Sequence, residues 1–191
     1  MNVVIVQARS NSSRYPNKVL KKINNLYLIE IILKRLKKST LLDKIVLAIP
    51  NTKQNNKLEN IIKNLFKDII IIRGSEKNLI SRFIKASKSF PLSTNLIRIT
   101  GDCPFVDYKL LDKMLIKFQD SNYDYMSNTL KPTFPDGLDI EIFKKNLLLK
   151  ISNKNLSKFD KEHVTPYMKN NKIIKKYNYI SKINYSNIRL T

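Results

Sequence analysis

Three features of the sequence predict an α/β domain built on a largely parallel sheet. Apolar runs of strand length alternate with stretches of helical period, polar loops follow the early runs, and 191 residues suffice for one filled core but not two full-sized ones. Residues 3–6, Val-Val-Ile-Val, are a continuous apolar run and read as a strand buried on both faces. A polar segment, 7–18, follows. Residues 26–36 place Leu26, Ile29, Leu33 and Leu36 on one helical stripe, opposite Lys34, Arg35, Lys37 and Lys38. Residues 45–49 form a second strand closed by Pro50, and 58–66 a helix with Leu58, Ile61, Ile62 and Leu65 on one face. A third strand at 69–72, a helix at 79–90 that stops before Pro91, and a fourth strand at 96–99 complete a run of βαβ units. Beyond it we expect a loop at 100–106, a helix at 107–118 and a short strand at 123–126. A strand at 138–143 alternates Leu138, Ile140 and Ile142 with Asp139 and Glu141, which predicts half-burial. Helices at 146–151 and 158–168 and an edge strand at 173–179, interrupted by lysines, close the chain.

Composition excludes several functions. Lys and Arg total 36 against 15 Asp and Glu, a net charge of +21, but the cations are 29 lysines and only seven arginines, beside 22 asparagines and 26 isoleucines. Lys, Asn and Ile share A/T-rich codons, so the charge reads as compositional drift on tolerant surfaces. No nucleic-acid-binding module accompanies it, and nucleic acid is not an expected partner. No apolar stretch approaches the roughly 20 residues that span a bilayer, so no membrane association is expected, and the start MNVVIVQARS lacks the basic region of a signal peptide. The single cysteine, Cys103, makes neither an internal disulfide nor a cysteine zinc site. A reducing cytoplasm is the expected location.

In an open parallel sheet, ligands bind outside the carboxyl ends of the strands. The first exit, residues 7–18, carries Arg9, Arg14 and Lys18 with the hydroxyls of Ser10, Ser12 and Ser13, the groups that neutralise a polyphosphate, although no Walker pattern is present. The alternative is a solvated basic loop. At the third exit, Arg73-Gly74-Ser75-Glu76, the glycine permits close backbone approach. Ser75 either caps the next helix or joins an N–H cradle for a base or phosphate, and Arg82 beyond it reads equally as a surface residue. The fourth exit, Arg98-Ile99-Thr100-Gly101-Asp102-Cys103-Pro104, puts Asp102 where a carboxylate holds Mg²⁺ or stabilises its own turn, and Asp107 reads as a helix cap. Cys103 reads as a small buried side chain rather than a nucleophile paired with His163. In Phe134-Pro135-Asp136-Gly137-Leu138-Asp139-Ile140-Glu141 the alternation puts Asp139 and Glu141 on one face, either toward sugar hydroxyls or a metal, or simply toward solvent. The lone His163 reads as a structural hydrogen-bond donor before a catalyst.

Taken in order, Gln7-Ala8-Arg9 with Ser12, Arg14, Pro16 and Lys18, then the segments 73–76, 98–104, 134–141 and Glu162-His163-Val164-Thr165-Pro166-Tyr167, resemble the cytidylyltransferases that make CMP-activated sugars, of the spore-coat polysaccharide and acylneuraminate type. The resemblance covers nearly the whole chain. It implies a three-layer, Rossmann-like nucleotide-diphospho-sugar transferase fold, CTP and a small sugar of the sugar-acid class as substrates, Mg²⁺ as cofactor, and a homodimer. It implies that Arg14, Lys18 and Asp102 act in catalysis, with Asp102 holding the metal. Gln7, Ala8, Arg9, Ser12, Arg14, Lys18, Arg73, Gly74, Ser75, Thr100 and Gly101 would border the nucleotide, and Asp136, Asp139, Glu141, Glu162 and His163 the acceptor. The family's loop usually has glycine where this chain has Asn11 and Asn17, and asparagine is the residue that best tolerates the left-handed backbone there. Residues 1–191 read as a single nucleotidyltransferase domain without the family's C-terminal strand and helix, which carry an aspartate thought to help hold the metal. An inactive, truncated nucleotide-binding homologue is therefore the alternative to an active enzyme.

Overall fold

The apolar runs of the first hundred residues become β1 (Asn2–Gln7), β4 (Lys44–Pro50), β5 (Ile70–Gly74) and β6 (Asn95–Thr100) in a computed structural model that describes residues 1–11 and 15–191. Between them lie a hairpin, β2 (Lys22–Ile23) with β3 (Leu26–Tyr27), and the helices α1 (Leu28–Leu36), α2 (Asn56–Leu65) and α3 (Leu79–Ser87). The second part contributes α4 (Tyr108–Gln119), β7 (Tyr125–Ser127), β8 (Glu141–Lys144), α5 (Lys145–Ser152), α6 (Lys158–His163), α7 (Pro166–Asn170) and β9 (Lys176–Asn178). Seven strands join in one sheet of order β5-β4-β1-β6-β8-β7-β9. Neighbours from β5 to β6 run parallel, β8 lies antiparallel to both β6 and β7, and β9 runs parallel to β7 at the edge.

Side chains alternate across β1 and so feed two cores. Val4 and Val6 pack with α1, α2 and α4 on one face, while Val3 and Ile5 pack with α3, α5 and α7 on the other. Helices on both faces make the three-layer arrangement. None among the described residues is long and apolar enough to cross a membrane.

Four expectations change. The helix expected from residue 26 starts at Leu28, because Leu26 and Tyr27 pair with Lys22 and Ile23 around Asn24 and Asn25, both at positive φ (48° and 65°). Two such residues at a hairpin tip match the right-handed twist of the strands. The helix expected over 79–90 ends at Ser87. That expected over 158–168 breaks into α6 and α7 at Val164, whose φ of 70° no helix accommodates. The strand expected over 138–143 begins only at Glu141 and is not half-buried. Its neighbours on either side are β6 and β7, and Glu141, Ile142 and Phe143 are all buried.

Candidate active site

The site is built where β1 and β6 leave the sheet side by side. Gly101 N–H donates to the Gln7 carbonyl at 2.8 Å. A Cβ at residue 101 would lie 2.7 Å from the Ala8 Cβ and 2.9 Å from the Gln7 oxygen, so glycine is what lets the two exits touch. The first loop is tied back by Ser10 N–H, which donates to the buried Asn55 Oδ1 at 2.9 Å, and by Asn17 N–H to the Ser10 carbonyl at 2.8 Å. Asn17 takes the left-handed conformation expected of it, φ 57° and ψ 25°. A 3-10 turn at Lys18–Leu20 then returns the lysine over the β6 exit, where its Nζ lies 3.3 Å from Asp102 Oδ2. Both partners are partly exposed, so this pair contributes little to stability and remains available to a ligand.

A cleft of about 330 Å³ opens here. Of the residues named from sequence, Gln7, Ala8, Arg9, Lys18, Thr100, Gly101, Asp102, Glu162 and His163 line it. Ser12 and Arg14 lie outside the described residues. Arg73, Gly74, Ser75, Asp136, Asp139 and Glu141 do not line it. Arg73 turns toward α2, donating from Nε to Glu59 and from Nη2 to Asn56 Oδ1, each at 2.6 Å. Gly74 backs directly onto the Arg82 side chain, 2.7 Å from where a Cβ would be. Asp136 faces Arg189 at 3.4 Å, and its backbone pairs with Ile188 and Leu190, so the C-terminal residues cover this turn. Asp139 is half-buried, and burial, followed by the nearby Asp136, pushes its carboxyl pKa up.

Glu141 lies inside the protein rather than on an open face shared with Asp139. Its carboxylate pairs with Arg98 and with Lys169 (2.8 Å), and accepts from the Tyr125 hydroxyl at 2.7 Å and the Thr165 hydroxyl at 2.9 Å. Burial acts to raise its pKa, but Arg98 and then Lys169 outweigh that and hold it down at about 2. Thr165 follows a γ-turn at the fully buried Val164, closed by Thr165 N–H to the His163 carbonyl at 2.9 Å. That strained turn brings Glu162 and His163 to the cleft. His163 makes no side-chain hydrogen bond among the described residues, contrary to expectation; its ring packs on Phe159 at 4.5 Å.

Two arginines on the cleft were not recognised as site residues from sequence. Arg82 is 2% exposed, not a surface residue, and donates to the carbonyls of Ser75 (2.8 and 2.5 Å) and Glu76 (3.2 Å). Burial, with Arg9 next in importance, outweighs the nearby Glu76 carboxylate and lowers its pKa to about 10, and it makes no ion pair within 4 Å among the described residues. A buried guanidinium with no directly paired carboxylate favours an anion in the cleft beside it. The Ser75 carbonyl thus holds the Arg82 guanidinium. The Ser75 hydroxyl accepts from Asn78 N–H at 3.0 Å, and Asn78, not Ser75, caps α3 through Ser81 N–H. The second, Arg98, interrupts an otherwise apolar strand, and a lone charge in such a run was the available signal. Asp107 caps α4 as expected, through Lys109 N–H at 2.8 Å. Cys103 is buried, and burial pushes its thiol up to about 12, too high for a nucleophile near neutrality.

No group of three or more His, Cys, Asp or Glu side chains among the described residues is gathered to hold a metal unaided. Asp102 is nevertheless a hard oxygen donor on the cleft, and Mg²⁺ characteristically uses one or two carboxylates with substrate phosphates and water. The donor set therefore fits a magnesium ion completed by a bound nucleotide.

The spore coat polysaccharide biosynthesis protein SpsF of Bacillus subtilis is 36% identical over 174 residues, which cover 87% of this chain and 69% of that protein. A 3-deoxy-manno-octulosonate cytidylyltransferase of Fusobacterium nucleatum is 26% identical over 182 residues, covering 95% of this chain and 71% of that enzyme. A cytidylyltransferase structure from Leptospira borgpetersenii superposes with a TM-score of 0.92 at 30% identity, over all of this chain and 80% of that one. The family model described as cytidylyltransferase matches residues 3–191, and with the cleft at the β1 and β6 exits this establishes that the chain belongs to the cytidylyltransferase family of nucleotidyltransferases.

Proposed function

We propose that this protein transfers CMP from CTP to the hydroxyl of a sugar acid, yielding a CMP-sugar for polysaccharide or glycan synthesis. The observation that carries the reading is the cleft in which Arg9, Lys18 and Arg82 surround the exit that bears Asp102. Cations so placed neutralise a triphosphate, and preorganised charge is the main resource of phosphoryl-type transfer. The acceptor oxygen forms a bond to the α-phosphorus, the bond from that phosphorus to the bridging oxygen breaks, and pyrophosphate leaves with the electron pair. The hydroxyl proton passes to solvent. Lys18 and Arg9, with Arg14 of the same loop, hold the phosphates in line and stabilise the charge that gathers on the departing pyrophosphate. Asp102 would hold Mg²⁺, which would supply further charge neutralisation to the triphosphate. The Glu162 and His163 wall faces the same cleft and supplies polar contacts to the sugar.

Incubating the protein with CTP, Mg²⁺ and a panel of 2-keto-3-deoxy sugar acids tests the reading. Pyrophosphate release with at least one acceptor is expected. No release with any of them, together with no CTP binding by calorimetry, overturns it.

A further inference from the structure

Neutralisation of CTP by Arg9, Lys18 and Arg82 leaves one arginine of the cleft, Arg98, without a task. Arg98 sits on β6 opposite Glu141 of β8, on the sheet face that bears Ile5 and Phe143. Its Nε donates to Gln7 Oε1 at 2.9 Å and its Nη1 to Glu141. Its Nη2 makes no hydrogen bond among the described residues, although the side chain is only 14% exposed and lines the cleft. Two of its three nitrogens are thus engaged, and the third remains to meet a ligand.

Glu141 does not need Arg98 alone. The carboxylate also binds Lys169, the Tyr125 hydroxyl and the Thr165 hydroxyl, so three side chains besides Arg98 satisfy it. A guanidinium N–H left without a protein partner at a partly dry wall favours an anionic ligand. The same carboxylate, through Thr165, anchors the γ-turn that presents Glu162 and His163, so Arg98 is rigidly related to the wall assigned to the acceptor.

From this geometry we infer that Arg98, clamped by Gln7 and Glu141, is a specificity-determining residue that selects an acceptor bearing a carboxylate. Glu141 is the positioning residue behind it. The inference rests on the transferase reading and assigns the acceptor's charge to one side chain. A guanidinium fixed on two sides offers a directional N–H to a monoanion, and a neutral sugar gains nothing from it. Losing one charge-assisted hydrogen bond changes affinity by roughly 10- to 100-fold.

The test uses the full chain and two pairs of probes, 3-deoxy-manno-octulosonate and N-acetylneuraminate, each against its methyl ester. Calorimetric titration should show at least one acid binding the wild-type protein ~10-fold or more tightly than its ester. Arg98→Gln should erase that preference while leaving ester and CTP affinities within about twofold, and Arg98→Lys should restore part of it. In turnover, Arg98→Gln should raise the acceptor KM more than it lowers kcat. Glu141 keeps its three other partners in this variant, so folding is retained and is checked by thermal melting. An acid preference that survives Arg98→Gln, or wild-type protein that prefers neither acid to its ester, overturns the inference. Absence of CTP binding instead overturns the transferase reading, while the acceptor titration still reports on Arg98.

Discussion

The two halves of the sheet treat charge in opposite ways. On the parallel half, at the β1 and β6 exits, Lys18 and Asp102 are 30% and 47% exposed and meet at 3.3 Å, and among the described residues Arg82 hydrogen-bonds only to backbone carbonyls. On the mixed half, Glu141 is 2% exposed and its two oxygens serve four side chains. The difference separates two jobs. Loosely partnered charges are available to exchange one another for a ligand, whereas a saturated buried carboxylate holds other groups in place.

If that contrast is right, Glu141→Ala is the most damaging single change. It strands Arg98 and Lys169 and leaves the Tyr125 and Thr165 hydroxyls without their acceptor, so stability in urea should fall by roughly 3–5 kcal/mol. The milder Glu141→Gln should also alter the acid limb of stability. The folded carboxyl is held at about 2, below its ordinary 4.5, so its contribution is present above pH 4.5 and is lost as pH falls toward 2. Urea midpoints between pH 5 and pH 2 should therefore depend less steeply on pH in Glu141→Gln.

Asp102→Ala probes the other half and should show the reverse pattern. Turnover, read as pyrophosphate release, should drop by ~100-fold or more, while stability changes by less than about 1 kcal/mol because the ion pair is exposed. Gly101→Ala falls between the two. A Cβ too close to Ala8 and to the Gln7 carbonyl forces the β1 and β6 exits apart, costing about 1–3 kcal/mol and weakening CTP binding in calorimetry. The smallest effect belongs to Cys103. With its thiol pushed up to about 12 by burial, it should resist iodoacetamide at pH 8 in the folded protein and react only on unfolding.

Periodicity made most of the fold legible. The runs at β1, β4, β5 and β6 and the apolar stripes of α1 to α4 are local signals that folding preserves. The alternation from Leu138 to Phe143 misled because it carries no information about what lies beside the strand. A carboxylate reads as solvent-facing until Arg98 across the register and Lys169 above it are known. Arg82 is the same case on a helix, where one polar residue among Leu79, Ile80 and Phe83 reads as surface. Much of the cleft was legible, since Arg9, Lys18, Thr100, Gly101 and Asp102 cluster at strand exits that a parallel sheet brings together. Arg73 was not, because Glu59 and Asn56 draw its guanidinium away.

The amino-acid sequence on its own dictates the alternation of strands and helices, the polar loops at their exits and membership in the family. These follow from hydrophobic period, turn chemistry and motif order, all of which act between near neighbours along the chain. Folding in three dimensions decides which of the described arginines reach the cleft. Arg9, Arg82 and Arg98 do, whereas Arg73 faces α2. It also decides that Glu141 is a buried anchor. The reason is that the effective strength of a charge depends on its burial and on partners far away in sequence, such as the 43 residues that separate Arg98 from Glu141.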